Sequence, residues 1–215
     1  VRVLVCVIAR TASIAALIHE FNKGVTLIQL SSALAYSHAL MNQVVNPGDH
    51  VIDATVGNGH DTVYLANLVG TTGHVDGFDI QSAAIEATTT ALDKAALTHQ
   101  VTLWQTGHEH IADKIAADQP IKCAVFNLGY LPGGDKQIIT KPTTTLTAIK
   151  AIQERLVTNG LIILLVYAGH PGGATEAQAV LDYVTNLDQH QFQVLQYQFI
   201  NQVHVPPYLL AIQKR

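Results

Sequence analysis

A chain of 215 residues that is 48% hydrophobic and 13% charged is long enough for one domain with a sizeable core, and too apolar for wholesale disorder. Twelve Lys and Arg against sixteen Asp and Glu give a net charge of −4, which excludes a globally basic surface and leaves only local basic patches. Cys6 and Cys123 have no metal-ligand spacing; Cys123 lies in an apolar run, reads as a reduced core residue and points to a cytoplasmic setting.

Residues 1–18 are apolar but broken by Arg10, and His19, Glu20 and Lys23 follow, so no membrane span is expected there. Ala33-Leu34-Ala35 has the form of a signal cleavage site, yet Arg10 splits the apolar stretch such a signal needs. Residues 1–24 are therefore expected to form an N-terminal extension of uncertain order, and residues 25–215 the domain proper. Ser31 is placed to cap a helix running to about Val44. Asn46-Pro47-Gly48-Asp49 is a turn, and a strand follows at His50 to Ala54. A helix is expected from about Asn58 to Leu68, a turn at Thr71-Thr72-Gly73, and a second strand at His74 to Asp79. A helix from Ser82 to Ala96, a strand from Val101 to Trp104 and a short helix from Ile111 to Ala117 come next. Lys122 to Asn127 is a near-continuous apolar run, suited to a strand covered on both faces.

A Gly- and Pro-rich loop spans Leu128 to Pro142. The spacing then predicts a helix over Thr143 to Val157, a turn at Asn159-Gly160 and a strand from Leu161 to Tyr167. A loop from Ala168 to Gly173 leads into a helix from about Thr175 to Leu187. Phe192 to Asn201 and Pro207 to Gln213 read as a closing antiparallel pair. Alternating strands and helices followed by a hairpin predict an α/β fold: a seven-stranded, mostly parallel sheet with helices on both faces.

In such sheets ligands bind at the carboxyl ends of the strands. The loop after the first strand contains Asp53, Thr55, Gly57, Asn58, Gly59 and Asp61, and the second strand ends in Asp79 with Gln81 just beyond. A strand, a Gly-x-Gly turn, a helix and a strand ending in a carboxylate form a nucleoside-binding unit. A dinucleotide site would place a third glycine where Thr62 stands, and an acid next to a pyrophosphate would be repulsive. Beside the sulfonium of S-adenosylmethionine (SAM) an acid such as Asp53 is favourable. SAM is therefore preferred over NAD as the cofactor.

Asn127-Leu128-Gly129-Tyr130 follows the fourth strand, where methyltransferases acting on an amine carry an Asn or Asp, two small or apolar residues and an aromatic. The side-chain oxygen can hold an amine in line while the ring stacks on a flat substrate. The alternative is a polar turn with Tyr130 packing outward. Asp135 and Lys136 in the following Gly-rich stretch are candidates for substrate contact, against the reading of a solvated charge pair. His108 and Glu109, after the third strand, lack a zinc spacing and are expected to border the adenine or cap a helix, so no metal is expected. His170 would face the substrate or sit in a solvated loop. His38 would cover the methionine end of the cofactor or be an ordinary amphipathic-helix histidine. Lys136, Lys141 and Lys150 are the only local basic candidates for a nucleic-acid contact.

The strings DATVGNGHDT (Asp53 to Thr62), GFDIQ (Gly77 to Gln81), FNLGYLPGGDK (Phe126 to Lys136) and YAGHPGG (Tyr167 to Gly173) resemble the class I SAM-dependent methyltransferases, and more closely the YtqB-like rRNA methylase family. The likeness runs from about residue 27 to the end and leaves residues 1–24 without a counterpart. The resemblance implies a Rossmann-like class I fold and a SAM-dependent RNA methyltransferase. Family members methylate the aminomethyl group of 5-aminomethyl-2-thiouridine at the tRNA wobble position. It also implies that Asp53, Gly57, Asn58 and Asp61 surround the methionine part, that Asp79 and Gln81 hold the ribose, and that Asn127 and Tyr130 stand at methyl transfer. Candidate proton acceptors are Asp135, Glu109 and His170. An rRNA methyltransferase, a small-molecule amine methyltransferase and a non-catalytic SAM- or RNA-binding module are the competing readings. The expected partner is tRNA, with no membrane and with a homodimer allowed.

Overall fold

The computed structural model describes residues 29–215, so the readings on residues 1–24 and Cys6 lie outside the described residues. Residues 32–215 form a compact unit. The first element is helix α1, Ala33–Val44. Its cap is Ser32 rather than Ser31: the Ser32 side chain accepts from the backbone N–H of Ala35 and satisfies one of the orphan donors of the first turn.

The strands are β1 (His50–Asp53), β2 (His74–Asp79), β3 (Val101–Gln105), β4 (Ile121–Leu128), β5 (Leu156–Val166), β6 (Phe192–Tyr197) and β7 (Tyr208–Lys214). The helices between them are α2 (His60–Val69), α3 (Ser82–Ala95), the short α4 (Ile111–Lys114), α5 (Pro142–Arg155) and α6 (Gly173–Thr185). All seven strands form one sheet in the order β3-β2-β1-β4-β5-β7-β6. β3, β2, β1, β4 and β5 pair in parallel, and β7 runs antiparallel to both β5 and β6. The expected α/β architecture with its closing hairpin is therefore present.

Strand alternation builds two cores. In β1 and β4 the successive residues Val51/Ile52 and Cys123/Ala124/Val125/Phe126 point to opposite faces. Val51, Cys123 and Val125 join Met41 of α1, Leu65 and Val69 of α2 and Leu92 of α3. Ile52, Ala124 and Phe126 join Ile111 of α4, Ile149 and Ile152 of α5 and Val180 of α6. Covered on both sides, β4 is an almost unbroken apolar run. Each fully buried side chain of the size of Phe126 or Ile52 contributes roughly 1.5–3 kcal/mol of burial free energy. Cys123 is a free, fully buried thiol, and burial pushes its pKa up to about 12, which makes it a core residue and not a nucleophile.

Beyond end shifts of one or two residues, β6 ends at Tyr197 rather than Asn201, α4 ends at Lys114 rather than Ala117, and β5 starts earlier than expected. Asn159-Gly160 is not a turn that starts a strand at Leu161, because β5 already begins at Leu156. Ile121 pairs with Leu156 while Cys123 pairs with Leu161, so β5 carries extra residues across that step. Asn159 takes φ +61° inside this irregularity. The sheet order reverses direction between β1 and β4, since the chain proceeds from β1 outward to β3 before crossing back. The crevice above that switch point is where an open α/β sheet binds its ligand.

Candidate functional site

A cavity of about 1040 Å³ opens there. It collects residues from the ends of β1, β2, β4 and β5 and from α1: Thr55, Gly57, Asp79, Asn127, Tyr167 and His38 among them. Single ligands usually occupy about 300–1,000 Å³, so this space admits a nucleoside-sized cofactor together with part of a second molecule.

The β1–α2 loop forms the cofactor side. Gly57 has φ +51° and Gly59 φ +82°, a left-handed backbone that L side chains avoid. At Gly59 a Cβ would also meet Thr88 at 3.0 Å. The loop is tied to the end of β2: the Gly57 N–H donates to Asp79 Oδ2 at 3.1 Å and the Gln81 N–H to Oδ1 at 3.0 Å. Asp79, Gln81, His108 and Glu109 all line the cavity. His108 is buried, which holds its pKa below the ordinary value, so it presents a neutral ring. Its Nδ1 lies 3.1 Å from the carbonyl of Ala54 and therefore carries the proton. A half-buried carboxylate at the second strand end, a neutral imidazole and a glycine turn suit the ribose and adenine of a nucleoside.

At the end of β4 the Asn127 N–H donates to Thr55 Oγ1 at 2.7 Å, which locks the two strand ends together. The Asn127 Nδ2 donates to Asp61 Oδ2 at 2.8 Å, and His38 Nε2 lies 2.7 Å from Asp61 Oδ1. His38 itself stacks on Tyr64, with ring centroids 4.3 Å apart. Beyond Asn127, Tyr130 is half exposed and meets His170 edge to face at 5.4 Å, with the Lys136 ammonium 5.8 Å from its ring centre. The His170 Nδ1 lies 3.0 Å from the Pro171 carbonyl and so bears its proton, while its buried Nε2 has no hydrogen-bond partner.

Most of the expected site residues thus meet in one space: His38, Thr55, Gly57, Asn58, Asp61, Asp79, Gln81, His108, Glu109, Asn127, Tyr130 and His170. Three do not. Asp53 is fully buried beneath the loop and outside the lining, so it does not stand beside a sulfonium. It accepts from Thr62 Oγ1 at 2.6 Å and from the Thr55 N–H at 3.2 Å. Burial, reinforced by the Asp61 charge, pushes its pKa up to about 7. Gly59 serves the α2 cap and not the cavity wall. Asp135 is exposed, lies outside the cavity lining and accepts from the Gln137 N–H at 2.9 Å, capping its own turn. Of the basic candidates, Lys136 and Lys141 line the cavity; Lys150 instead lies 5.4 Å from the Tyr183 ring centre.

Two contributors escaped the sequence reading. Tyr167, at the β5 end, lines the cavity, and burial followed by the Asp61 charge holds its phenol pKa above the ordinary value. Its signal was the YAGHPGG string. Glu176 is 2% exposed and accepts from Thr145 Oγ1 at 2.6 Å and from the Thr140 hydroxyl. It pins the end of the Tyr130 loop to α5 and α6. A lone Glu in a first helical turn gives no such signal. Among the described residues no group of three or more His, Cys, Asp or Glu can hold a metal, and no helix is long and apolar enough to cross a membrane.

The family model described as "Putative rRNA methylase" matches residues 75–213. The chain belongs to that family. It is 38% identical over 182 residues to the chloroplastic tRNA (mnm(5)s(2)U34)-methyltransferase of Arabidopsis thaliana, an alignment covering 81% of this chain. The chain spans 66% of that relative's length. It is similar to a crystal structure described as a putative rRNA-methylase from Clostridium thermocellum, with 43% identity and a TM-score of 0.85 over 87% of this chain and 100% of the other. A putative methyltransferase from Streptococcus mutans, crystallised with SAH, matches at 41% identity and TM-score 0.80, again over 87% of this chain and 100% of that one. The chain has the Rossmann-like class I methyltransferase fold, its sheet ordered β3-β2-β1-β4-β5-β7-β6.

Proposed function

We propose that this chain is a SAM-dependent RNA methyltransferase that N-methylates the aminomethyl group of 5-aminomethyl-2-thiouridine at the tRNA wobble position. The observation that carries the reading is one cavity with two distinct walls. Gly57, Asp79, Gln81 and His108 wall the β2 side, and Asn127, Tyr130 and His170 wall the β4–β5 side. The Streptococcus mutans relative crystallised with SAH supports the cofactor, and the Arabidopsis relative, named for a wobble-uridine substrate, supports tRNA.

The donor set fits the cofactor. Asp79 would take the ribose hydroxyls, and the Gly57 turn would let the nucleoside approach the backbone. When bound, SAM supplies an electrophilic methyl group, and its transfer leaves SAH and releases one proton from the amine. The chain's own residues do the rest. Asn127 orients the amine through its side-chain oxygen, and Tyr130 offers a face for the base to stack on. His170 holds the Tyr130 ring edge to face; its Nε2 is buried against Gly129 and Gly173 and closed to the amine, so the released proton leaves to solvent. Lys136 and Lys141 on the cavity wall give an otherwise acidic chain its attraction for the phosphate backbone.

The test is to incubate the protein with labelled SAM and tRNA bearing 5-aminomethyl-2-thiouridine, then to analyse nucleosides by mass spectrometry. Conversion to the methylaminomethyl nucleoside is expected. Label appearing only in rRNA, only in free amines, or nowhere would overturn the reading in favour of the corresponding alternative.

A further inference from the structure

An Asn amide is ambidextrous: either its oxygen or its nitrogen can face a ligand, and at the end of β4 the choice decides whether a substrate amine meets an acceptor or a donor. Asp61 makes that choice. The Asn127 nitrogen donates to Asp61 Oδ2 at 2.8 Å, which sets the nitrogen on that side. The Asn127 oxygen is then the free half of an amide that lines the cavity. Asp61 is itself held at its other oxygen by His38 Nε2, 2.7 Å away, and His38 is stacked on Tyr64. The backbone of Asn127 is fixed by the 2.7 Å bond to Thr55. The brace therefore runs from α1 through α2 to β4, with every link a short polar contact or a ring stack.

We infer that Asp61 and His38 are positioning residues that hold the Asn127 amide with its oxygen toward the substrate amine. This inference deepens the reading of the site given above and rests on it for the identity of the amine. It moves Asp61 and His38 from contacts of the cofactor's methionine part to supports of the group that aligns the nucleophile.

The hydrogen-bond arithmetic gives opposite outcomes for single and paired substitutions. In Asp61→Asn the new amide oxygen takes the His38 N–H, which leaves its NH2 facing Asn127. Asn127 must then turn its oxygen inward and present nitrogen to the amine. In Asn127→Asp two carboxylates face each other across the same gap. In the pair Asp61→Asn/Asn127→Asp, Asn at 61 accepts from His38 and donates to Asp at 127. That Asp keeps its second oxygen for the amine.

The experiment measures kcat, KM for tRNA and the Kd for SAH by calorimetry in the full chain and these variants. Each single substitution is expected to lower kcat by about 100-fold. The pair is expected to regain about tenfold, and SAH affinity should stay within about twofold throughout. A pair as poor as the worse single, or losses confined to SAH binding, overturns the inference. A second readout needs no RNA: the Asn127 side-chain amide resonance, assigned by its disappearance in Asn127→Asp, should shift upfield in Asp61→Asn as it loses its carboxylate partner. A resonance that stays in place overturns the inference. If the unaltered chain methylates no tRNA while that resonance shifts as expected, the tRNA reading fails and the Asp61 brace stands.

Discussion

Two aspartate–histidine pairs with hidden carboxylates lie in different parts of this fold and do different work. Asp61 meets His38 at 2.7 Å above the strand ends, and Asp76 meets His50 at 2.6 Å within β2 and at the start of β1. Their carboxylates are equally hidden, at 8% and 7% exposure. The third partner separates them. Asp76 Oδ1 accepts from the Trp104 indole at 2.7 Å, a donor that has no second orientation, and none of these residues lines the cavity. Asp61 shares its charge with the amide of Asn127, which does line it. A histidine–carboxylate pair by itself marks only a buried charge that needs donors. It becomes part of a site where the remaining partner is both ambidextrous and open to a ligand.

The sharpest way to break this contrast is at Asn127. Asn127→Ala should lower kcat by about 100-fold or more with SAH affinity within about twofold, since in-line positioning is lost and the cofactor wall is not. Steady-state kinetics with calorimetry checks this. Asp79→Ala should do the reverse, weakening SAH by about thirtyfold through loss of a charge-assisted acceptor and of the Gly57 tether, read by the same titration. Asp76→Asn should cost roughly 2 kcal/mol in urea unfolding with an unchanged m-value, because one of its two donors loses its partner. Its kcat should equal that of the unaltered chain. A pH dependence is expected at Asp53. Its folded pKa of about 7 lies above the ordinary 3.8, so the native state holds more protons than the unfolded chain between those values. Stability contributed by this group is therefore complete below 3.8, declines as pH rises to about 7 and is constant above that. Asp53→Asn should flatten the decline in pH-dependent urea unfolding.

The parts of the fold that the sequence revealed are those where local pattern and tertiary demand agree. β2 was readable from His74 to Asp79 at both ends, because its buried run is bounded by the turn before Gly73 and the helix at Ser82. β5 was misjudged because Asn159-Gly160 has real turn chemistry, but the sheet absorbs it as an irregularity inside the strand. The site was legible where glycines and strand-end acids share a loop. Asp53 and Asp61 could not be sorted by sequence, since which carboxylate faces the crevice depends on how the loop bends over Thr62. Asp135 looked like a free acid, yet the backbone N–H two residues on claims it. Glu176 was hidden altogether: its partners Thr140 and Thr145 lie 36 and 31 residues away and meet it only after α5 and α6 pack.

The most direct measurement is nucleoside mass spectrometry on tRNA carrying 5-aminomethyl-2-thiouridine, treated with SAM and either the unaltered chain or Asn127→Ala. The expected result is a methyl group gained on the wobble-position amine with the unaltered chain and almost none with the variant at equal SAH affinity. Equal methylation by both proteins, or a methyl group on any other atom of the tRNA, would contradict the assignment of this cavity.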